Sequence, residues 1–236
     1  MSPTDDCTLT LEPGADLRQA LAGAGDAAVI CLPPGTYSGS HLLERSVTLR
    51  GLGDGVVLDA GQDGPVVAVQ ADKLVVSIER VTLTGGLWVN GGGVALEGRS
   101  DVTLTGCTVR GNQAGEYGGG GLFAGRGKLV VKDSVIEDNE SRWGGGVLAD
   151  TVSWVVLEGT TIRGNKASRG GGLAVRDGAK VELIGGSIAG NQATDADGAP
   201  VYVAGTTSRG PELSIRGTSI DGEVHDAMGN ATILRE

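Results

Sequence analysis

Five glycine clusters recur along this chain at nearly one interval: Gly91–Gly93, Gly119–Gly121, Gly144–Gly146, Gly170–Gly172 and Gly198. Each precedes a pair of residues two apart, Val94/Leu96, Leu122/Ala124, Val147/Ala149, Leu173/Val175 and Val201/Val203, whose first members step by 28, 25, 26 and 28 residues. A second motif keeps the same beat, with two alternating apolar residues leading to a Val or Ile and then an asparagine. It ends at Asn112, Asn139, Asn165 and Asn191, with steps of 27, 26 and 26. Self-similarity at such a period marks a solenoid, in which each repeat buries its apolar face only by stacking on its neighbours.

Within a repeat, apolar and polar residues alternate with the period of a strand. Val102, Leu104, Cys107 and Val109 share offsets with Leu129, Val131, Ser134 and Ile136, then with Val155, Leu157, Thr160 and Ile162, and then with Val181, Leu183, Gly186 and Ile188. Val76, Ile78, Val81 and Leu83 upstream and Leu213, Ile215, Thr218 and Ile220 downstream fit the same template. Two short strands therefore precede each Asn turn, and a third follows each glycine cluster. Helical alternatives fail because a 3.6-residue period is missing and glycine costs about 1 kcal/mol in a helix interior. The expected fold is all-β: a single-stranded parallel β-helix of about eight coils of roughly 26 residues, stacked about 4.8 Å apart. One domain spans 1–236, with 1–37 as the N-terminal cap and first coil, 38–222 as the repeat coils and 223–236 as the C-terminal end.

At the N-terminus, Asp16 is placed to cap a short helix whose Leu17, Ala20 and Leu21 share one face. A helix there covers an otherwise open sheet edge. No comparable amphipathic segment follows Thr218. Either an irregular stretch around His225–Asn230 covers the last rung, or that edge meets another chain and self-association follows. Cys7 and Cys31 end two apolar, strand-like runs flanking the helix and are candidates for a disulfide. Sequence does not fix the pairing, and a bond there implies an oxidising compartment. Cys107 falls in an inward column and reads as an inert thiol.

The segment Glu12–Tyr37 (EPGADLRQALAGAGDAAVICLPPGTY), with its helix cap, strand and P-G-x-Y turn, resembles the opening of the pectate-lyase-like superfamily. The rungs of 76–205, carrying I-x-G-N and G-G-G-L, are similar to repeats of polymorphic outer-membrane proteins and related surface β-helices. The resemblance implies a right-handed coil. It does not single out an activity, because the superfamily includes lyases, hydrolases, esterases, epimerases, adhesins and phage fibres.

Its enzyme branches imply motifs that are missing here. Polygalacturonase-like hydrolases bring N-T-D, paired aspartates and G-H-G, whereas the histidines of this chain are His41 and His225, in neither context. Pectate-lyase-like enzymes bring a Ca²⁺ carboxylate cluster and a basic residue on one face. The matching column here reads Glu97, Gly125, Asp150, Arg176 and Ala204. Asp195 and Asp197 are a weak Ca²⁺ corner, so no cofactor is expected beyond that ion.

The Asn column (Asn112, Asn139, Asn165, Asn191) reads as a structural amide ladder. Outward positions carry charge ladders, Arg110/Glu137/Arg163 and Lys132/Glu158, and Trp154 lies between Lys128 and Lys180. The glycine-led strand differs. Its outward column, Ala95, Phe123, Leu148, Ala174 and Tyr202, is apolar, with Trp88, Tyr117, Arg142, Trp143 and Arg169 in the preceding turns and Glu116 nearby. Three readings compete for this face: a glycan, a protein or second copy, or the chain's own loops.

The net charge of −10 argues against sequence-independent nucleic-acid binding. No apolar stretch is long enough to span a membrane as a helix, and the first residues lack a secretory signal. The leading expectation is a non-catalytic extracellular or cell-surface module that binds glycan or protein along the Phe123/Leu148/Trp143 side. The alternatives are a lyase or hydrolase acting on polysaccharide, and a structural protein assembling end to end.

Overall fold

A computed structural model of the chain describes residues 6–195, 198–205 and 210–236. The chain winds into a right-handed parallel β-helix, as the repeat predicts. One ten-stranded sheet and two eight-stranded sheets run its length, and equivalent strands of successive coils pair in parallel. Asp101–Thr105, Thr108–Arg110 and Leu122–Ala124 are one coil's contribution to these three sheets.

A fourth sheet departs from the expected three strands per coil. Five consecutive coils insert a short strand ahead of the glycine cluster: Leu87–Asn90, Gln113–Gly118, Glu140–Trp143, Lys166–Arg169 and Gln192–Ala193. The glycines then let this strand turn sharply into the next. Gly144 sits at φ +57°, and a Cβ on Gly120 would lie 2.5 Å from the Gly145 carbonyl oxygen of the next coil. No other residue type fits that approach.

The inward columns are buried. Val102, Leu104, Val109, Leu129, Val131, Ile136 and Val155 are wholly covered and form one continuous core along the axis. Where that core would strand backbone polar groups at the tight turn, the asparagines satisfy them. Asn139 Oδ1 accepts from the Asn112 backbone N–H at 3.0 Å and from Asn112 Nδ2 at 3.0 Å. Its own Nδ2 donates to Val109 O at 2.9 Å and to Asn165 Oδ1 at 2.9 Å. Asn165 repeats the pattern with Asn191.

The ends follow different rules. Asp16 caps the helix Leu17–Gly23 by accepting from the backbone N–H groups of Arg18 at 2.9 Å and Gln19 at 3.3 Å, and Leu17 is buried against the core. Cys7 and Cys31 are bonded, with their Cα atoms 5.8 Å apart. At the other end, His225 does not lie in an irregular cover. It sits in the strand Val224–Asp226, which pairs with Val201–Ala204 and extends the solenoid, and Thr232–Arg235 forms the last strand of the ten-stranded sheet. Asp226 holds the intervening turn by accepting from the Gly229 N–H at 3.0 Å and the Ala231 N–H at 3.2 Å.

Candidate functional site

The outward column of the glycine-led strand is not exposed. Phe123 is 7% accessible, Leu148 and Ala174 are 0%, and Ala95 and Tyr202 are also buried. The cause is the fourth strand, which carries Trp143 back over Phe123, Leu148 and Ala174 to form a small second core. Period-2 alternation correctly turns these side chains out of the coil, but the chain then overlays them. The expected ligand face is therefore corrected. Phe123, Leu148 and Tyr202 lie beneath the surface, and Trp88, Tyr117 and Arg142 stand exposed on the fourth sheet.

The aromatics divide into two groups. Around Trp143, the Arg169 guanidinium lies 5.1 Å and the Arg176 guanidinium 4.6 Å from the indole ring, and Tyr202 meets it edge-on at 5.6 Å. Tyr202 also stacks on His225 at 5.2 Å. Carboxylates hold both cations: Asp195 lies 3.1 Å from Arg169, and Asp150 and Asp177 lie 3.7 and 3.3 Å from Arg176. The Asp195 carboxylate thus faces an arginine, and Asp197 lies outside the described residues. Burial pushes the Asp150 carboxyl up, Arg176 pulls it down, and a hydrogen bond with Asp177 adds to the rise. By sequence, Asp150 and Arg176 stand in a column that matches no carboxylate cluster. Their positions after Ala149 and Val175 in register-paired strands are what join them.

The second group is open to solvent. Leu87 (41%), Trp88 (40%), Val89 (48%) and Tyr117 (58%) form an exposed apolar patch. With Gly115 and Glu116 they line one shallow depression across two neighbouring coils. The depression exists because the strand Gln113–Gly118 is two residues longer than its neighbours Leu87–Asn90 and Glu140–Trp143. Trp88 pairs with Ala114 and Asn90 with Gly118, so the surplus forms an irregularity that projects Glu116 and Tyr117 beside Trp88. The sequence pattern passes over Leu87 and Val89 and places Glu116 only near the face. The signal was there in the spacing: Gly119 follows Asn112 by seven residues, whereas Gly144 follows Asn139 by five. Bulges and per-repeat insertions of this kind concentrate on binding faces.

The right-handed beta helix region model matches residues 37–220, most of the described coils. The chain belongs to the right-handed β-helix family. Comparison with curated proteins gives no significant sequence match. Among solved structures, this β-helix is similar to Escherichia coli YbhC, with a TM-score of 0.54 and 14% identity over 98% of this chain and 78% of that one. It is also similar to the pectin methylesterase of Aspergillus niger, with a TM-score of 0.46 and 16% identity over 98% of this chain and 85% of that one. At these identities the likeness is one of fold.

The remaining side chains account for structure. Cys107 is buried, and burial pushes its thiol up to about 11, opposite to what a nucleophile needs. Glu137 pairs with Arg163 at 2.7 Å and Lys132 with Glu158 at 3.2 Å. Lys128 sits 4.1 Å over the Trp154 ring, whose indole N–H donates to Glu182 at 3.0 Å. Exposed pairs of this kind contribute about 0–1 kcal/mol each, enough to favour register.

Proposed function

We propose that this β-helix is a non-catalytic extracellular or cell-surface module that binds a glycan in the depression lined by Leu87, Trp88, Val89, Glu116 and Tyr117. The observation that carries the reading is an exposed aromatic pair at the place where the repeat is broken by two extra residues. Coil stacking alone gives no reason for that break. Aromatic faces beside a carboxylate suit sugar rings, which present C–H faces and hydroxyls together. Size favours a glycan over a protein: a stable protein interface buries about 800 Å² on each partner, far more than four part-exposed side chains supply. The Cys7–Cys31 disulfide supports an oxidising compartment.

The test is binding of the purified chain to a glycan array and to insoluble polysaccharides, with Trp88→Ala and Tyr117→Ala alongside. Each substitution is expected to weaken binding at least about ten-fold, or ~1.4 kcal/mol, while circular dichroism stays unchanged. Undiminished binding by both variants would remove the assigned face.

A second reading, an enzyme acting on polysaccharide, is favoured by one observation. The Asp150 carboxyl is pushed up by burial beside Asp177 and Arg176, and a carboxyl whose affinity for protons is raised is suited to act as a general acid. It predicts release of new chain ends or ester products from a polysaccharide, lost in Asp150→Asn. Turnover that Asp150→Asn leaves intact would dismiss this carboxyl.

A further inference from the structure

Resting on the glycan reading of the depression, we infer that its ligand is a neutral, extended polysaccharide of equatorially substituted sugars lying along the solenoid axis, and that Glu116 is the residue that turns away uronates. The direction follows from where the apolar contacts repeat. Trp88 and Tyr117 belong to neighbouring coils whose strands pair at Trp88↔Ala114 and Asn90↔Gly118. Such strands lie about 4.8 Å apart, close to the length of one extended pyranose unit. The two platforms therefore sit on adjacent coils, and a ligand that meets both runs from one coil to the next along the axis. At the end of the same strand the chain turns inward at the buried Gly91–Gly93.

The sugar class follows from charge and shape. Among the residues lining the depression, Glu116 is the one ionised group. On the next coil's strand, Glu140, the register partner of Gln113, already holds Lys166 at 3.2 Å. Arg142 is exposed but does not line the depression. The whole chain carries a net charge of −10. A polyuronate would bring a row of carboxylates to this surface with no cation in the depression to meet them. A neutral pyranose with equatorial hydroxyls lays an unbroken C–H face on Trp88 and directs hydroxyls sideways, where the Glu116 carboxylate accepts their hydrogen bonds.

Calorimetric titration of the full chain with neutral β-1,4-linked saccharides of one to six units (gluco-, xylo- and N-acetylglucosamine series) and with oligogalacturonates tests this. The expected result is binding to at least one neutral series, tightening at least five-fold from one unit to two, and none to the uronates. Glu116→Gln is expected to weaken the neutral ligand and admit the uronate. Oligogalacturonate binding at or above the neutral level, or affinity independent of length, overturns this inference and leaves the glycan reading standing. Failure of every saccharide on both calorimeter and array overturns the glycan reading itself.

Discussion

At the scale of single residues, this fold satisfies the buried asparagine column from coil to coil, whereas His41, like Ser153, is buried with no well-formed side-chain hydrogen bond. Asn139 connects to the coils on either side through both ends of its amide, so the ladder is self-satisfying. His41 is 0% exposed at the base of the N-terminal cap, and neither ring nitrogen has a well-formed hydrogen-bond partner. Burial first, and then the neighbouring Arg18 cation, lower its pKa from 6.5 to about 4; the Tyr37 backbone and Asp16 oppose the shift. Between those two values the unfolded chain binds a proton that the folded chain refuses. Stability is therefore complete above about pH 6.5 and declines as pH falls towards 4, by about 3 kcal/mol. Thermal melts from pH 7 to 4.5 are expected to show this loss in the wild type and a flatter profile in His41→Leu. Parallel profiles would mean that other groups govern acid lability.

At the scale of the element, the fourth strand decides which side chains meet solvent. Where it has four residues and ends in Trp143, it seals Phe123, Leu148 and Ala174. Where it has six, the surplus projects Glu116 and Tyr117 outward. Deleting Glu116 and Tyr117 leaves a four-residue strand matching its neighbours. The shortened chain is expected to melt within about 4 °C of the wild type, a change of ~1 kcal/mol or less for a domain of this size, while glycan binding disappears. A collapse in melting temperature would show that the insertion is structural. The same strand marks how far sequence could be read. Inward columns were legible because burial forces like residues onto like positions in every coil: Val102, Leu129, Val155 and Val181 are buried as the repeat requires. The fourth strands read Leu-Trp-Val-Asn, Gln-Ala-Gly-Glu-Tyr-Gly, Glu-Ser-Arg-Trp and Lys-Ala-Ser-Arg. They share no alternation, because they pack on an outer surface where no common core imposes one. For the same reason Trp88 and Tyr117 are legible as face residues, whereas Phe123 and Tyr202 read as exposed although Trp143 and Arg169 cover them.

At the scale of the whole molecule, stability is distributed along one axis, because each coil touches chiefly the coils before and after it. A constraint at one end should therefore act locally. The Cys7–Cys31 bond closes a segment with a sequence separation of 24, across the helix that covers the first coil. Loop closure of that size is worth about 3 kcal/mol against the unfolded chain. In a globular core that sum would be shared by every element. Here the coil holding Trp88 is separated from the Cys31 strand by only one intervening strand of the ten-stranded sheet, yet the central coils keep both their neighbours when the cap is lost. Replacing Cys7 and Cys31 by serine is expected to speed amide exchange in Ala28–Leu32 and Val47–Gly51 and to leave Trp154–Glu158 protected. Glycan affinity at Trp88 should change less than two-fold. Exchange rising equally along all ten strands would mean that the rod unfolds as one unit. The disulfide would then stabilise the binding coil as much as the cap.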